Sequence, residues 1–264
     1  MSQSDWSSDV CSSDLAVMTQ NIGAGRPGVA YQARQLGLAF NAVLGVIMSL
    51  FLSLGAGTIL SGVGVADALM QPAKTYLQIV GGFCILNALI PICSSYLRAF
   101  GFSKEPLYAS IIGNVINFCL NAFFLFVLHK GVAGVATATV ISRIINLVIV
   151  VLLGAVLVKA KQHPERESNR AVMGQIIRIG LPSACETAIY NVSMTLVIRF
   201  LNQMDAQGLN VTARSYTMQI TNFSYCVGAA LAQANAIMTG WHIGAKEYDA
   251  CDRGTKKADR KSVV

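Results

Sequence analysis

Charge is absent from long stretches of this chain. No Asp, Glu, Lys, Arg or His occurs between Arg34 and Asp67, Lys74 and Arg98, Glu105 and His129, or Arg214 and His242. Lys130 to Lys159 is interrupted only by Arg143, and Arg170 to Asp205 carries only Arg178, Glu186 and Arg199. A helix that crosses a bilayer needs about 20 mostly apolar residues, and each stretch supplies them. The pattern predicts six helices, over 36–60, 74–97, 107–128, 132–158, 174–203 and 213–240. The expected fold class is an all-α membrane protein, a polytopic helix bundle with about six transmembrane helices.

Composition agrees. Hydrophobic residues make up 54% and charged residues 12%, against about a quarter charged in an ordinary soluble domain. The net charge of +7 raises the possibility of a nucleic-acid partner. The basic residues argue against it, because they lie in the connections between apolar runs and form no stripe on one face. Alternate connections differ: one set holds Arg26, Arg34, Arg98, Lys104, Lys159, Lys161, Arg166, Arg170, Lys246, Arg253, Lys256 and Lys257, and the other clearly holds only Lys74 and Lys130. Cytoplasmic loops are the Lys/Arg-rich ones. The first set is therefore assigned to the cytoplasm, and the helix starting near Gln35 runs outward.

Cys84, Cys93, Cys119, Cys185 and Cys226 sit inside apolar runs without C-x-x-C spacing, as small packing residues do. His129, His163 and His242 are isolated, so no metal site is expected. Gly23, Gly25 and Gly28 spell G-x-G-x-x-G. A dinucleotide site would need a strand before them and a soluble βαβ unit after. Pro27 stands in the turn instead, and membrane helices follow. These glycines read as the end of one helix and the turn into the next.

The two ends look foreign. Ser4–Leu15 (SDWSSDVCSSDL) has no basic n-region and no apolar h-region. It resembles translated sequencing adapter, as does Asp259–Val264 (DRKSVV). Both are set aside as artefactual, and the protein is expected to continue on both sides. Between them lies a repeat: Met18-Thr19, then Ile22-Gly23-Ala24, is matched by Met238-Thr239, then Ile243-Gly244-Ala245. The copies lie roughly 220 residues apart, room for about six spans with loops, and duplicated six-helix units are a familiar transporter plan.

Asn114, Asn117 and Asn121 fall at i, i+3 and i+7 on one helix face, and Ser110 extends the stripe. Amides facing lipid are expensive, so the stripe must face protein or a wet cavity. Two readings remain open: interhelical hydrogen-bond glue, or the lining of an ion or substrate pathway. Glu186 is the one acid well inside an apolar segment. It lies one turn after Pro182 near the cytoplasmic end, and either serves coupling or substrate, or forms a structural pair with a base such as Arg178. Arg143, near mid-span, is expected to face the bundle interior, and Arg199 can snorkel outward. Pro91 predicts a kink. Gly134 and Ala138 form a small-residue packing face.

Several stretches resemble the MATE (multidrug and toxic compound extrusion) transporters: Gln20–Leu38 (QNIGAGRPGVAYQARQLGL), Tyr96–Asn121 (YLRAFGFSKEPLYASIIGNVINFCLN), Gly131–Asn146 (GVAGVATATVISRIIN), Arg178–Glu186 (RIGLPSACE) and Thr212–Ile220 (TARSYTMQI). The resemblance implies part of a twelve-helix, two-lobe transporter. Residues 16–158 would be the N-lobe from the end of helix two to helix six, 159–172 a cytoplasmic linker, and 173–258 the start of the C-lobe. Residues 1–15 and 259–264 are the adapter-like ends.

Members of one branch often carry N-x-x-L-D, whose Asn and Asp help bind the coupling cation. Here Asn117 carries over, Asn121 stands in the acid's place and cannot titrate, and Thr139 matches a polar position facing the same site. Another branch has a coupling Glu near the position of Tyr190, which Glu186 does not match. The resemblance thus implies no enzyme but a secondary active exporter of small, often cationic, organic compounds. It would be a Na⁺ or H⁺ antiporter working by alternating access, monomeric, multi-pass in the bacterial inner membrane, with no cofactor beyond that ion and no nucleic-acid partner. This fragment alone is expected to be inactive. The alternative within the same fold group is a lipid-linked oligosaccharide flippase, which would show more cationic residues in its cavity than Arg143.

Overall fold

The computed structural model describes residues 4–63, 67–158, 166–204 and 209–262. The elements are α1 (Ser4–Gly23), α2 (Pro27–Leu54), α3 (Ala56–Val63), α4 (Asp67–Gly82), α5 (Cys84–Ala99), α6 (Lys104–Ala122), α7 (Gly131–Leu157), α8 (Asn169–Met204), α9 (Leu209–Gly244) and α10 (Tyr248–Ser262). A π-helical turn, Phe123–Val127, continues α6. The chain is a polytopic helical bundle, and no strand occurs among the described residues.

Each of the six expected helices is present, with physical adjustments, and the first, 36–60, is divided at Gly55 between α2 and α3. Pro27 starts α2 at its first turn, where a missing N–H costs nothing. The helix therefore begins before the apolar run does, and its first turns carry Gln32, Arg34 and Gln35 as a polar end. The expected helix 74–97 is broken: α4 and α5 meet at a 44° bend. The break falls at Phe83, after the pair Gly81-Gly82, and Pro91 lies within α5. Glycine is a poor helix former, and two in succession weaken the helix just before the break. Asn169 begins α8 inside the polar stretch assigned as linker, of which 159–165 lie outside the described residues, as do 205–208 of the short outer connection.

The adapter-like Ser4–Leu15 forms the first turns of α1, since a helix propagates at little cost per residue once begun. The tail Asp259–Ser262 likewise ends α10.

Side chains are distributed as in a lipid-facing bundle. Leu54, Phe118 and Ile220 are 84%, 75% and 75% exposed, whereas α7 buries Gly134, Ala136, Ala138 and Ser142. Small residues let helix backbones approach where lipid supplies no hydrophobic drive. A Cβ on Gly45 would lie 2.9 Å from Ile85 Cα, so α2 and α5 meet at that glycine. By length and apolarity, α2, Lys104–Val127 and Gly131–Leu157 can each cross a membrane, and the bent pair Met70–Gly82 and Cys84–Ala99 is apolar enough for a broken span or a re-entrant loop. At about 1.5 Å per residue, the 36 residues of α8 and of α9 exceed a bilayer's thickness, but both are more polar. Their hydroxyls and amides turn back on the helix. Thr187 bonds Ser183 O at 3.0 Å, Asn191 bonds Thr187 O at 2.9 Å, and Thr221 bonds Thr217 O at 3.0 Å. Polar side chains are thereby satisfied without water.

The basic ends cluster. The core of Met18, Val29, Ala33, Tyr96, Leu97, Val150, Val172 and Ile176 closes one end of the bundle. Tyr96 is edge-on to Tyr31 and Phe100, and the Arg34 guanidinium lies 4.6 Å from its ring centroid. Gln32 there bonds both main-chain groups of Glu167, at 2.8 and 3.1 Å, and Arg26 pairs with Glu167. Arg98 reaches Gln233 at 2.7 Å, and Trp241 Nε1 reaches Ala99 O at 3.0 Å, so α5 is tied to α9 at the same end.

Candidate functional site

α6 and α7 run antiparallel and pack closely. The asparagine stripe of α6 meets a second polar stripe on α7: Thr139, Ser142 and Asn146 repeat the same i, i+3, i+7 spacing. Asn117 Nδ2 donates to Ser142 Oγ at 3.1 Å. Asn121 Nδ2 donates to Asn117 Oδ1 at 3.0 Å. Ser142 Oγ donates to Thr139 O at 2.9 Å. The result is one continuous relay of polar groups between two apolar helices. Two acceptors at its margins, Asn121 Oδ1 and Asn146 Oδ1, are buried with no hydrogen-bond partner. Burying such an oxygen without a donor is costly, of order 1–3 kcal/mol each, and marks the interface as a place that can receive a donor or a cation.

The expected site residues separate into groups. Asn117 and Asn121 are joined directly. Thr139 belongs with them through its main-chain carbonyl, because its hydroxyl turns back to Val135 O at 2.9 Å. Asn114 is exposed on α6 and takes no part in the relay. Glu186 is exposed on α8, a helix that packs on α1 and α2, so it is not brought to the α6–α7 pair. Ion pairs among the described residues join Arg26 to Glu167, His242 to Glu247 and Lys256 to Asp252, and none joins Glu186 to Arg178. Ser142 and Asn146 were missed. The signal for them was present, since the spacing that exposed the α6 stripe recurs unaltered on α7.

Arg143 is half-buried and lies within electrostatic reach of Tyr76 and Cys84, facing the bundle interior between α4, α5 and α7. The six described cysteines, Cys84, Cys93, Cys119, Cys185, Cys226 and Cys251, are free thiols. The glycine-rich turn binds helix ends. Arg26 N–H bonds Asn21 O at 2.8 Å and Gly25 N–H bonds Ile22 O at 3.0 Å. With Gly25 at φ +73°, this is the left-handed cap that terminates α1.

A MatE family profile matches residues 11–123. An uncharacterized transporter of Bacillus subtilis, YisQ, is 30% identical over 247 residues, 91% of this chain and 54% of that protein. The probable multidrug resistance protein NorM of Streptococcus pneumoniae R6 is 27% identical, over 83% of this chain and 49% of its own length. Among solved structures, a MATE protein in its straight conformation superposes with a TM-score of 0.80 at 19% identity, over 98% of this chain and 58% of that one. The chain thus spans about half the length of the curated relatives it matches.

Proposed function

The chain belongs to the MATE family of multidrug and toxic compound extrusion transporters, and on that premise we propose that its parent protein exports small organic cations across the plasma membrane in exchange for Na⁺ or H⁺. It is a carrier and not an enzyme. Two six-helix lobes would rock about a central cavity, of which this chain would supply the first lobe from the end of its second helix and the start of the second. The observation that carries the reading is the α6–α7 relay: a hydrogen-bonded polar path between apolar helices, ending on an unpartnered oxygen. Intramembrane polar groups of this kind mark ion and substrate pathways.

None of Asn117, Asn121, Thr139 and Ser142 carries a proton that titrates in the working pH range. A proton has no acceptor of its own in this set. Na⁺ fits it better, because carbonyl oxygens can replace the ion's hydration shell, while the compensating charge comes from elsewhere in the parent. Glu186, remote from the relay, would act separately at the cytoplasmic end of α8. Arg143 packs among α4, α5 and α7 and gives the glycan-flippase alternative no support.

The test is transport by the full-length parent in liposomes loaded with a fluorescent organic cation. Export driven by an inward Na⁺ or H⁺ gradient is the expected result, with the Na⁺-driven part lost in Asn117→Ala. Absence of export under either gradient, for a range of organic cations, overturns the proposal.

A further inference from the structure

We propose that Ser142 is a positioning residue whose hydroxyl sets the direction of the α6–α7 amide relay, and so makes the oxygen of Asn121 its open end. The proposal deepens the reading of this interface as an ion path and rests on it for the identity of the ligand, a small monovalent cation.

A serine hydroxyl has one hydrogen. Here it is committed to Thr139 O, so Ser142 offers only lone pairs to α6. Asn117 must then turn its NH₂ toward Ser142. A carboxamide is planar and rigid, and its oxygen consequently points along α6, where it accepts from Asn121 Nδ2. That bond uses the nitrogen of Asn121 and leaves its oxygen outermost, buried and unpartnered. With the Ser142 proton directed at α6 instead, each amide in turn would reverse, and the relay would end on an NH₂. A cation is attracted to the first ending and repelled by the second. One hydroxyl proton, about one helical turn along α6 from the open oxygen, therefore decides whether the path accepts a cation. Polar groups linked in this way polarise one another. A serine serving only as packing or helix glue would have no influence on Asn121, which it does not touch.

An Asp at position 121 would remove the dependence. Its two oxygens are equivalent, and its charge would draw the Asn117 NH₂ toward itself without help from Ser142. The Asn at 121 is what gives Ser142 its role.

The test uses the full chain in detergent micelles, labelled with ¹⁵N-asparagine, and follows the side-chain NH₂ signals. Asn117→Asp and Asn121→Asp assign them by loss. Ser142→Ala is expected to shift the signals of both Asn117 and Asn121, and Ser142→Thr, which keeps the hydroxyl, to restore them. A shift at Asn117 with Asn121 unmoved overturns the proposal. Should Ser142→Ala also collapse the signals of Asn41 and Asn21, which lie on other helices, Ser142→Thr and the Asn121→Asp background decide instead. There, adding Ser142→Ala is expected to leave Asn117 unmoved, and a shift equal to that in the parent background overturns the idea. Titration with NaCl against choline chloride separates the two claims. If Asn121 ignores Na⁺ while still answering to Ser142, the relay stands and the cation reading of the interface fails.

Discussion

Thr19 faces Gly240 where α1 crosses α9, so closely that a Cβ on Gly240 would overlap the threonine side chain. The contact repeats on either side in reciprocal order: a Cβ on Gly23 would strike the main-chain carbonyl of Trp241, and one on Gly244 the carbonyl of Gln20. Gln20 and Trp241, Gly23 and Gly244, and Thr19 and Gly240 are all separated by the same offset in the chain. The two copies of the sequence repeat therefore pack against each other about a local pseudo-two-fold axis, in the manner of an isologous interface. Of the glycines that mimic a nucleotide fingerprint in the sequence, Gly23 is there because two backbones touch and Gly25 because the cap needs a left-handed residue.

Gly240→Val and Gly23→Val are accordingly expected to destabilise the chain by about 1–3 kcal/mol or more, the cost of overpacking sites whose neighbours are the buried Thr19 side chain at Gly240 and the Trp241 main chain at Gly23. Gly174 is the control, because a Cβ there would have nothing within 4 Å. Gly174→Ala is expected to gain about 0.5–1 kcal/mol through helix propensity. Thermal unfolding in detergent distinguishes them, and equal effects at Gly240 and Gly174 would remove the crossing as an explanation.

The caps repeat with the helices. Lys246 occupies the position equivalent to Gly25, at φ +61° against +73°, and Glu247 N–H bonds His242 O as Arg26 N–H bonds Asn21 O, each at 2.8 Å. A left-handed backbone costs an ordinary L-residue about 1–2 kcal/mol relative to glycine. Lys246→Gly should therefore stabilise by about 1 kcal/mol and Gly25→Lys should destabilise by a similar amount. Matching signs for the two substitutions, read by the same melting experiment, would contradict the equivalence.

The helical bundle was legible because charge is so scarce that its positions alone delimit the spans. The repeat was legible from Met-Thr and Ile-Gly-Ala, but not its contact, since Thr19 and Gly240 lie far apart in the chain. On the α6–α7 face, Asn117 and Asn121 were found because amides are conspicuous in apolar sequence. Ser142 was passed over because serine is common in membrane helices, and its importance comes from which way its proton points. Glu186 was grouped with the asparagines for its charge alone, and only the packing of α8 separates it. The break falls at Phe83, after Gly81-Gly82, and not at Pro91, which the sequence singled out for the kink.

Asp14 carries a further consequence of the adapter-like segment. It is fully buried in α1, against Gly37, and neither carboxylate oxygen has a hydrogen-bond partner. A membrane bundle does not ordinarily keep an acid in such a place without a partner. Asp14→Ala is expected to raise stability by about 1–3 kcal/mol, the cost of an unsatisfied buried polar group. An unchanged or lowered unfolding midpoint would show that the carboxyl is accommodated.

The separation of the candidate residues can be measured in one set of double-mutant cycles on transport by the full-length parent. Asn117 and Asn121 share a hydrogen bond of 3.0 Å, so once either is replaced by Ala the other has lost its aligned partner, and the second substitution adds little. Residues in one network couple by about 0.5–3 kcal/mol, whereas distant ones add within about 0.3–0.5 kcal/mol. The Asn117–Asn121 cycle is expected to fall in the first range. Asn117 with Glu186→Gln is expected to be additive, since α8 lies on α1 and α2 and away from the α6–α7 pair. Asn114→Ala, outside the relay, is expected to affect transport less than Asn117→Ala. The arrangement fails if Asn117 couples more strongly to Glu186 than to Asn121, because the ion path would then run between α6 and α8 and not along the polar seam of α6 and α7.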